Sequence, residues 1–136
     1  MLTPKKTKHR KSFKGRRSGK GVATQNVKLS FGSYGMKALE ESWITSRQIE
    51  SARRVITKYV QKGGKLWIKI FPHKPVTKKA AEIPMGGGKG AVDHYVAVVK
   101  PGNILFEMEG VEKNIAKNAI EKASYKLPIK TKFVSK

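Results

Sequence analysis

The sequence predicts an α+β fold: two helices packed on a largely antiparallel or mixed β-sheet, behind a basic N-terminal arm. Three observations carry that expectation. Two stretches show helical apolar spacing, several short period-two runs do not alternate regularly with them, and an acid-free basic stretch precedes them all.

The arm is read over residues 1–26 and a single domain over 27–136, since no linker splits the apolar content of this 136-residue chain in two. Its cations are Lys5, Lys6, Lys8, Arg10, Lys11, Lys14, Arg16, Arg17 and Lys20, interrupted by Gly15 and Gly19. Such a segment cannot bury enough apolar surface to offset its ordering entropy. It is expected to be disordered alone and ordered on phosphates.

Val27, Leu29 and Phe31 alternate with Lys28 and Ser30 and read as a first strand, broken by Gly32 and Gly35. A helix is predicted from Thr45, where Thr45 and Gln48 fit a capping box, to Gly63-Gly64. Ile49, Ala52, Ile56, Tyr59 and Val60 form its core stripe. Arg47, Arg54 and Lys58 line the opposite face, with Arg53 on the flank.

Lys65–Phe71 reads as a strand with Leu66, Ile68 and Ile70 on one side. A long Gly-rich connection is expected over 72–94, holding Met85, Gly86, Gly87, Gly88, Lys89 and Gly90. Tyr95–Val99 and Ile104–Met108 flank Lys100-Pro101-Gly102-Asn103 and suggest a hairpin. A second helix is predicted from Val111 or Glu112 to Leu127, ended by Pro128, and Ile129, Thr131 and Phe133 mark a last strand.

Thirty Lys and Arg against nine Asp and Glu give a formal +21, with eleven of the cations in the first 39 positions and no acid before Glu40. The remainder is itself cationic, so the expected partner is a polyanion, with nucleic acid foremost. An anionic membrane would call for a basic amphipathic helix with bulky anchors, and neither that nor an apolar run of transmembrane length is evident. With no cysteine and no signal-peptide pattern, the chain reads as a soluble intracellular protein.

The glycine run fails as a nucleotide-binding P-loop, because Gly90 stands where Ser or Thr should bind magnesium. His9, His73 and His94 are scattered, and Asp93 beside His94 is expected to point to the other strand face. Glu107 and Glu109 share a strand face and serve equally as partners for nearby lysines. Trp43 and Trp67 could stack on bases, but packing is the commoner use of tryptophan. No catalytic residue, cofactor or metal is expected. No helix-turn-helix, zinc-finger or leucine-zipper pattern favours DNA, whereas a glycine-broken arm and a flexible loop suit folded RNA. A general nucleic-acid-binding chaperone or condensing protein remains the alternative.

Six groups of residues, in order, carry a more specific resemblance. They are Met1-Leu2-Thr3-Pro4-Lys5-Lys6-Thr7-Lys8 with Lys14-Gly15-Arg16; Phe31-Gly32-Ser33-Tyr34-Gly35; and Thr45-Ser46-Arg47-Gln48-Ile49-Glu50 with Ala52-Arg53-Arg54. Trp67-Ile68 with Phe71-Pro72, Met85-Gly86 with Gly88-Lys89-Gly90, and Lys126-Leu127-Pro128-Ile129-Lys130-Thr131 complete them. Together they resemble the bacterial-type large-subunit ribosomal protein of the L-sixteen family over nearly the whole chain.

The resemblance implies a non-catalytic constituent of the ribosome, bacterial or organellar, with a hammerhead-like β extension on the α+β fold. It implies binding to 23S rRNA, neighbouring ribosomal proteins and tRNA, and a part in organising the aminoacyl-tRNA side of the peptidyl-transferase region. Arg47, Arg53, Arg54 and Lys58 would meet rRNA together with the arm. Met85, Gly86, Gly88, Lys89 and Gly90 would face the tRNA cleft. Many members carry arginine, in some a hydroxylation target, just before the Met-Gly pair, where this chain has Pro84. Gly87 likewise lacks the cation some members carry.

Overall fold

The computed structural model describes residues 1–15, 21–60 and 63–136. Its elements run β1 (Tyr34–Ala38), β2 (Ser42–Thr45), α1 (Ser46–Tyr59), β3 (Lys65–Ile68), β4 (Lys74–Lys78), β5 (Ala91–Val99), β6 (Ile104–Glu109), α2 (Lys113–Ser124) and β7 (Thr131–Ser135). The strands form two antiparallel sheets, one ordered β3-β6-β1-β7 and one ordered β2-β5-β4. The α+β expectation holds, with the strands divided between two sheets.

Helix α1 starts where the capping box places it. Thr45 Oγ1 accepts from Gln48 N at 3.2 Å and Gln48 Oε1 accepts from Thr45 N at 3.0 Å, satisfying two of the donors a helix start leaves open. It ends at Tyr59, before the glycine pair. Helix α2 stops at Ser124, three residues short of the expected Leu127, and Lys126 N and Leu127 N close tighter turns onto Ala123 O and Ser124 O. The residue before Pro128 is pushed out of the helical region, so the chain unwinds ahead of it.

Ile49, Ala52 and Ile56 of α1 and Ala116, Ala119, Ile120 and Ala123 of α2 are buried against Met36, Ala38, Phe106 and Met108 of the four-stranded sheet. Alternation then turns Gly35 and Glu107 to the sheet's other face. That face is covered by the segment 27–32, which the sequence suggests as a strand. It has no partner strand among the described residues and crosses as an irregular strap. The glycines that read as strand breakers are what admit it. A Cβ on Gly35 would collide with Leu29 Cδ2, and one on Gly32 would meet Met108 O at 2.7 Å.

The hairpin expectation is also corrected. Lys100–Asn103 is a turn, with Asn103 N donating to Lys100 O at 3.1 Å and Gly102 at φ 102, but β5 and β6 belong to different sheets. Pro101-Gly102 carries the chain from one sheet to the other, and Gly102 N donates instead to Ala38 O at 2.8 Å. Within the expected 72–94 loop, residues 74–78 are strand β4 and β5 begins at Ala91, so the irregular part narrows to 79–90. Strands β1 and β2 are not foreseen from sequence, because Gly35 within β1 reads as a strand breaker and the four residues of β2 run directly into the helix cap at Thr45.

Candidate nucleic-acid interface

The arm, the glycine loop and the edge strand β4 meet. Lys11 Nζ donates to Lys89 O at 3.0 Å, and Lys89 Nζ donates back to Ser12 O at 2.6 Å. Lys74 Nζ of β4 donates to Lys14 O at 2.9 Å and lies 4.8 Å from the Trp43 ring centroid. Lys89 also approaches the ring of Phe13, itself 91% exposed, at 6.0 Å. Between these segments lies a cleft of about 310 Å³ lined by Ser12, Lys14, Trp43, Lys74, Thr77 and Lys89. Backbone carbonyls accept from the Lys11, Lys74 and Lys89 ammonium groups.

Lys5, Lys6, Lys8, Arg10 and Lys14 are exposed, and Lys11 is partly covered. Arg16 and Arg17, with Lys20, lie outside the described residues. Of the loop residues, Met85 is 97% exposed at the tip, and Gly86, Gly87 and Gly88 take φ of 97°, 77° and 99° with open space around each. Three successive positive φ values explain why glycine is needed there. Gly90 serves differently, since a Cβ would press on Lys78 O at 2.9 Å.

The α1 cations divide. Arg47, Arg54 and Lys58 are exposed on the outer face. Arg53, one turn after Glu50, grips it with Nε to Oε2 at 2.8 Å and Nη2 to Oε1 at 2.5 Å, and Arg54 Nε reaches Oε1 at 3.3 Å. Hydrogen bonds from Arg53, opposed by some desolvation and aided by both guanidinium charges, hold the Glu50 pKa down to about 2. Sequence reading passes over this acid amid the cations, though its spacing of three and four residues is the helical pairing signature.

Glu107 is wholly buried. Its Oε1 accepts the backbone N–H groups of Ser30, Phe31 and Gly32 at 2.8, 2.8 and 2.9 Å, and its Oε2 stands 3.7 Å from Lys69 Nζ. Burial alone would raise its pKa, but the three donors and the Lys69 charge outweigh that and hold it below the ordinary glutamate value. The residue clamps the strap, a larger role than pairing surface lysines.

Asp93 Oδ2 and His94 Nδ1 are 2.7 Å apart, contrary to the strand-alternation expectation. The register explains it. Val76 faces His94 and Thr77 faces Val92, leaving Asp93 as the extra residue of a bulge that brings the neighbours together. Among the described residues no group of three His, Cys, Asp or Glu side chains could hold a metal ion, and no helix is long and apolar enough to cross a membrane.

The fold and these surfaces define a strongly cationic α+β protein with exposed basic side chains on its arm, loop and helix face. The chain belongs to the family described as "Ribosomal protein L16p/L10e", whose family model matches residues 4–134. It is 60% identical over 136 residues to "Large ribosomal subunit protein uL16c" of Trieres chinensis, covering 100% of this chain and 98% of the relative. It is 58% identical over 134 residues to "Large ribosomal subunit protein uL16" of Trichodesmium erythraeum (strain IMS101), covering 98% and 96% respectively. The corresponding protein of Gracilaria tenuistipitata is 54% identical over 136 residues, covering 100% of this chain and 99% of the relative.

Proposed function

We propose that the chain binds 23S rRNA through its arm, β4 and α1 cations, and that its 79–90 loop faces the tRNA-binding side of the peptidyl-transferase region. Family membership makes it a structural constituent of the large ribosomal subunit, with rRNA and other ribosomal proteins as partners and no catalytic chemistry of its own.

One observation supports the RNA reading most directly. Lys14, Lys74 and Lys89 line one cleft, and Lys11 bonds the Lys89 carbonyl, in a chain whose nine acids cannot neutralise its thirty cations in any arrangement. Like charges assembled on carbonyl ligands repel one another until phosphates enter between them. The exposed Met85 and the three open glycines give the loop tip a small profile and backbone freedom, which suit close approach to a folded RNA.

Crosslinking within assembled ribosomes tests both parts. Photoreactive groups at Lys14 and Arg54 are expected to map to 23S rRNA, and one at Met85 to tRNA in the aminoacyl site. Crosslinks from Met85 to other ribosomal proteins alone would remove the tRNA part. A protein that sediments free of the large subunit would remove the whole reading.

A further inference from the structure

Phe31 is 57% exposed, yet its backbone is firmly anchored. Its own N–H and those of its two neighbours all donate to the wholly buried Glu107 carboxylate. Burying a carboxylate is costly unless every partner is fixed, so the strap conformation that presents Phe31 is built into the sheet. Under the ring lie Trp67, stacked at 5.8 Å between centroids and 24° between planes, and Lys69, with Nζ 4.4 Å from the centroid. Trp67 belongs to β3 and Lys69 follows directly after its end, where Lys69 Nζ also stands 3.7 Å from the buried Glu107 carboxylate. More than half of the Phe31 surface stays exposed beyond these contacts.

We infer that Phe31 is a stacking platform for an unpaired RNA base, a reading that rests on the RNA-binding function proposed above. An anchored, largely exposed aromatic backed by Trp67 and Lys69 suits base stacking, which needs no hydrogen-bond readout because every base has a π-face. The surrounding charge selects nucleic acid as the occupant. Lys28, three residues before Phe31, and Lys65, on the same strand face as Trp67, are exposed and placed for the flanking phosphates. Glu109 is the register partner of Lys65, so Lys28 contributes the less compensated charge. The platform takes one splayed nucleotide of a loop, bulge or strand end, since a base inside a duplex cannot offer its face.

The test compares three RNAs of equal length and charge: a random-sequence single strand, the same strand with abasic sites, and a perfect duplex. Phe31→Ala is expected to weaken the single strand about 5- to 100-fold and leave the abasic strand and the duplex unchanged. Phe31→Tyr should restore binding, whereas Phe31→Leu, which keeps apolar bulk without a π-face, should not. In Phe31→Trp the added indole emission should be quenched by the base-containing single strand and not by the abasic one. Equal losses on all three RNAs, or full affinity in Phe31→Leu, would overturn the platform, the latter pointing to an apolar protein contact instead. If the unsubstituted chain binds none of the three, the RNA-binding reading itself falls. Normal binding that is indifferent to Phe31→Ala removes the platform alone.

Discussion

Glu107 binds Gly32 to the sheet: its Oε1 accepts the Gly32 N–H at 2.9 Å across 75 positions of sequence. The same oxygen takes the two preceding N–H groups, so one carboxylate satisfies three consecutive backbone donors where a strand ladder would have used a partner strand. The strap therefore lies on the sheet face with its backbone donors satisfied by a side chain rather than by a neighbouring strand. It delivers Phe31 to the surface and joins the arm to the core.

Replacing Glu107 tests that clamp. Glu107→Ala should cost about 3 kcal/mol in urea denaturation, because three N–H groups and the Lys69 ammonium lose their buried partner. Glu107→Gln keeps an acceptor oxygen and should cost less, about 1 kcal/mol. The folded pKa is depressed, so the carboxylate's contribution is complete above the unfolded value and lost as pH falls through the folded one. Part of the acid destabilisation expected of the unsubstituted chain should thus be missing from Glu107→Gln. Identical acid profiles would show that the clamp does not couple to folding.

Gly32 and Gly87 need glycine for different reasons, and alanine separates them. At Gly32 the added methyl would meet Met108 O and N at 2.7 and 2.9 Å, backbone atoms of a central strand that cannot move aside. Gly32→Ala should therefore lift the strap, cost about 2 kcal/mol and speed amide exchange at Ser30–Gly32. Gly87 has open space but φ +77°, so Gly87→Ala should cost about 1 kcal/mol locally and leave global unfolding unchanged. A Gly32→Ala chain as stable as the original would argue that the strap is loosely held.

On α1, Arg54 and Lys58 are the cations to remove. The buried side of the helix is Ile49, Ala52 and Ile56, so Arg54→Ala with Lys58→Ala should keep the helical circular dichroism. RNA affinity should fall, and the log–log salt slope should shrink by roughly 1 for each phosphate that is no longer neutralised. Arg53→Ala is expected to matter less for RNA, since its guanidinium is already committed to Glu50. A larger effect from Arg53 than from Arg54 would reverse this ranking.

How far these features can be read from sequence depends on how locally each is determined. The α1 start is written in Thr45 and Gln48, three residues apart, and the turn at Lys100–Asn103 in its Pro-Gly pair; both are found where expected. The sheet to which the turn delivers the chain is not local, because nothing within Tyr95–Met108 says that Val99 pairs with Ser42 while Met108 pairs with Leu66 and Tyr34. Likewise the period-two run at Val27–Phe31 satisfies a strand template, and only the distant Glu107 decides otherwise. Charge is legible as composition. The meeting of arm and loop is not, since Lys11 and Lys89 stand 78 residues apart.

That meeting gives a last prediction. Lys89 Nζ on Ser12 O is a charge-assisted hydrogen bond at the surface, where solvent leaves it less than about 1 kcal/mol. Lys89→Met should therefore raise exchange at residues 11–14 by a few fold, quicken tryptic cleavage after Lys14, and leave global stability within about 0.3 kcal/mol. Because the ligands are carbonyls, salt alone should not release the arm; phosphate bound at Lys89 should, by competing for its protons. Adding RNA would then free the Ser12 carbonyl while ordering the arm on its new partner. Unchanged exchange in Lys89→Met would mean that Lys11 and Lys74 hold the arm without Lys89.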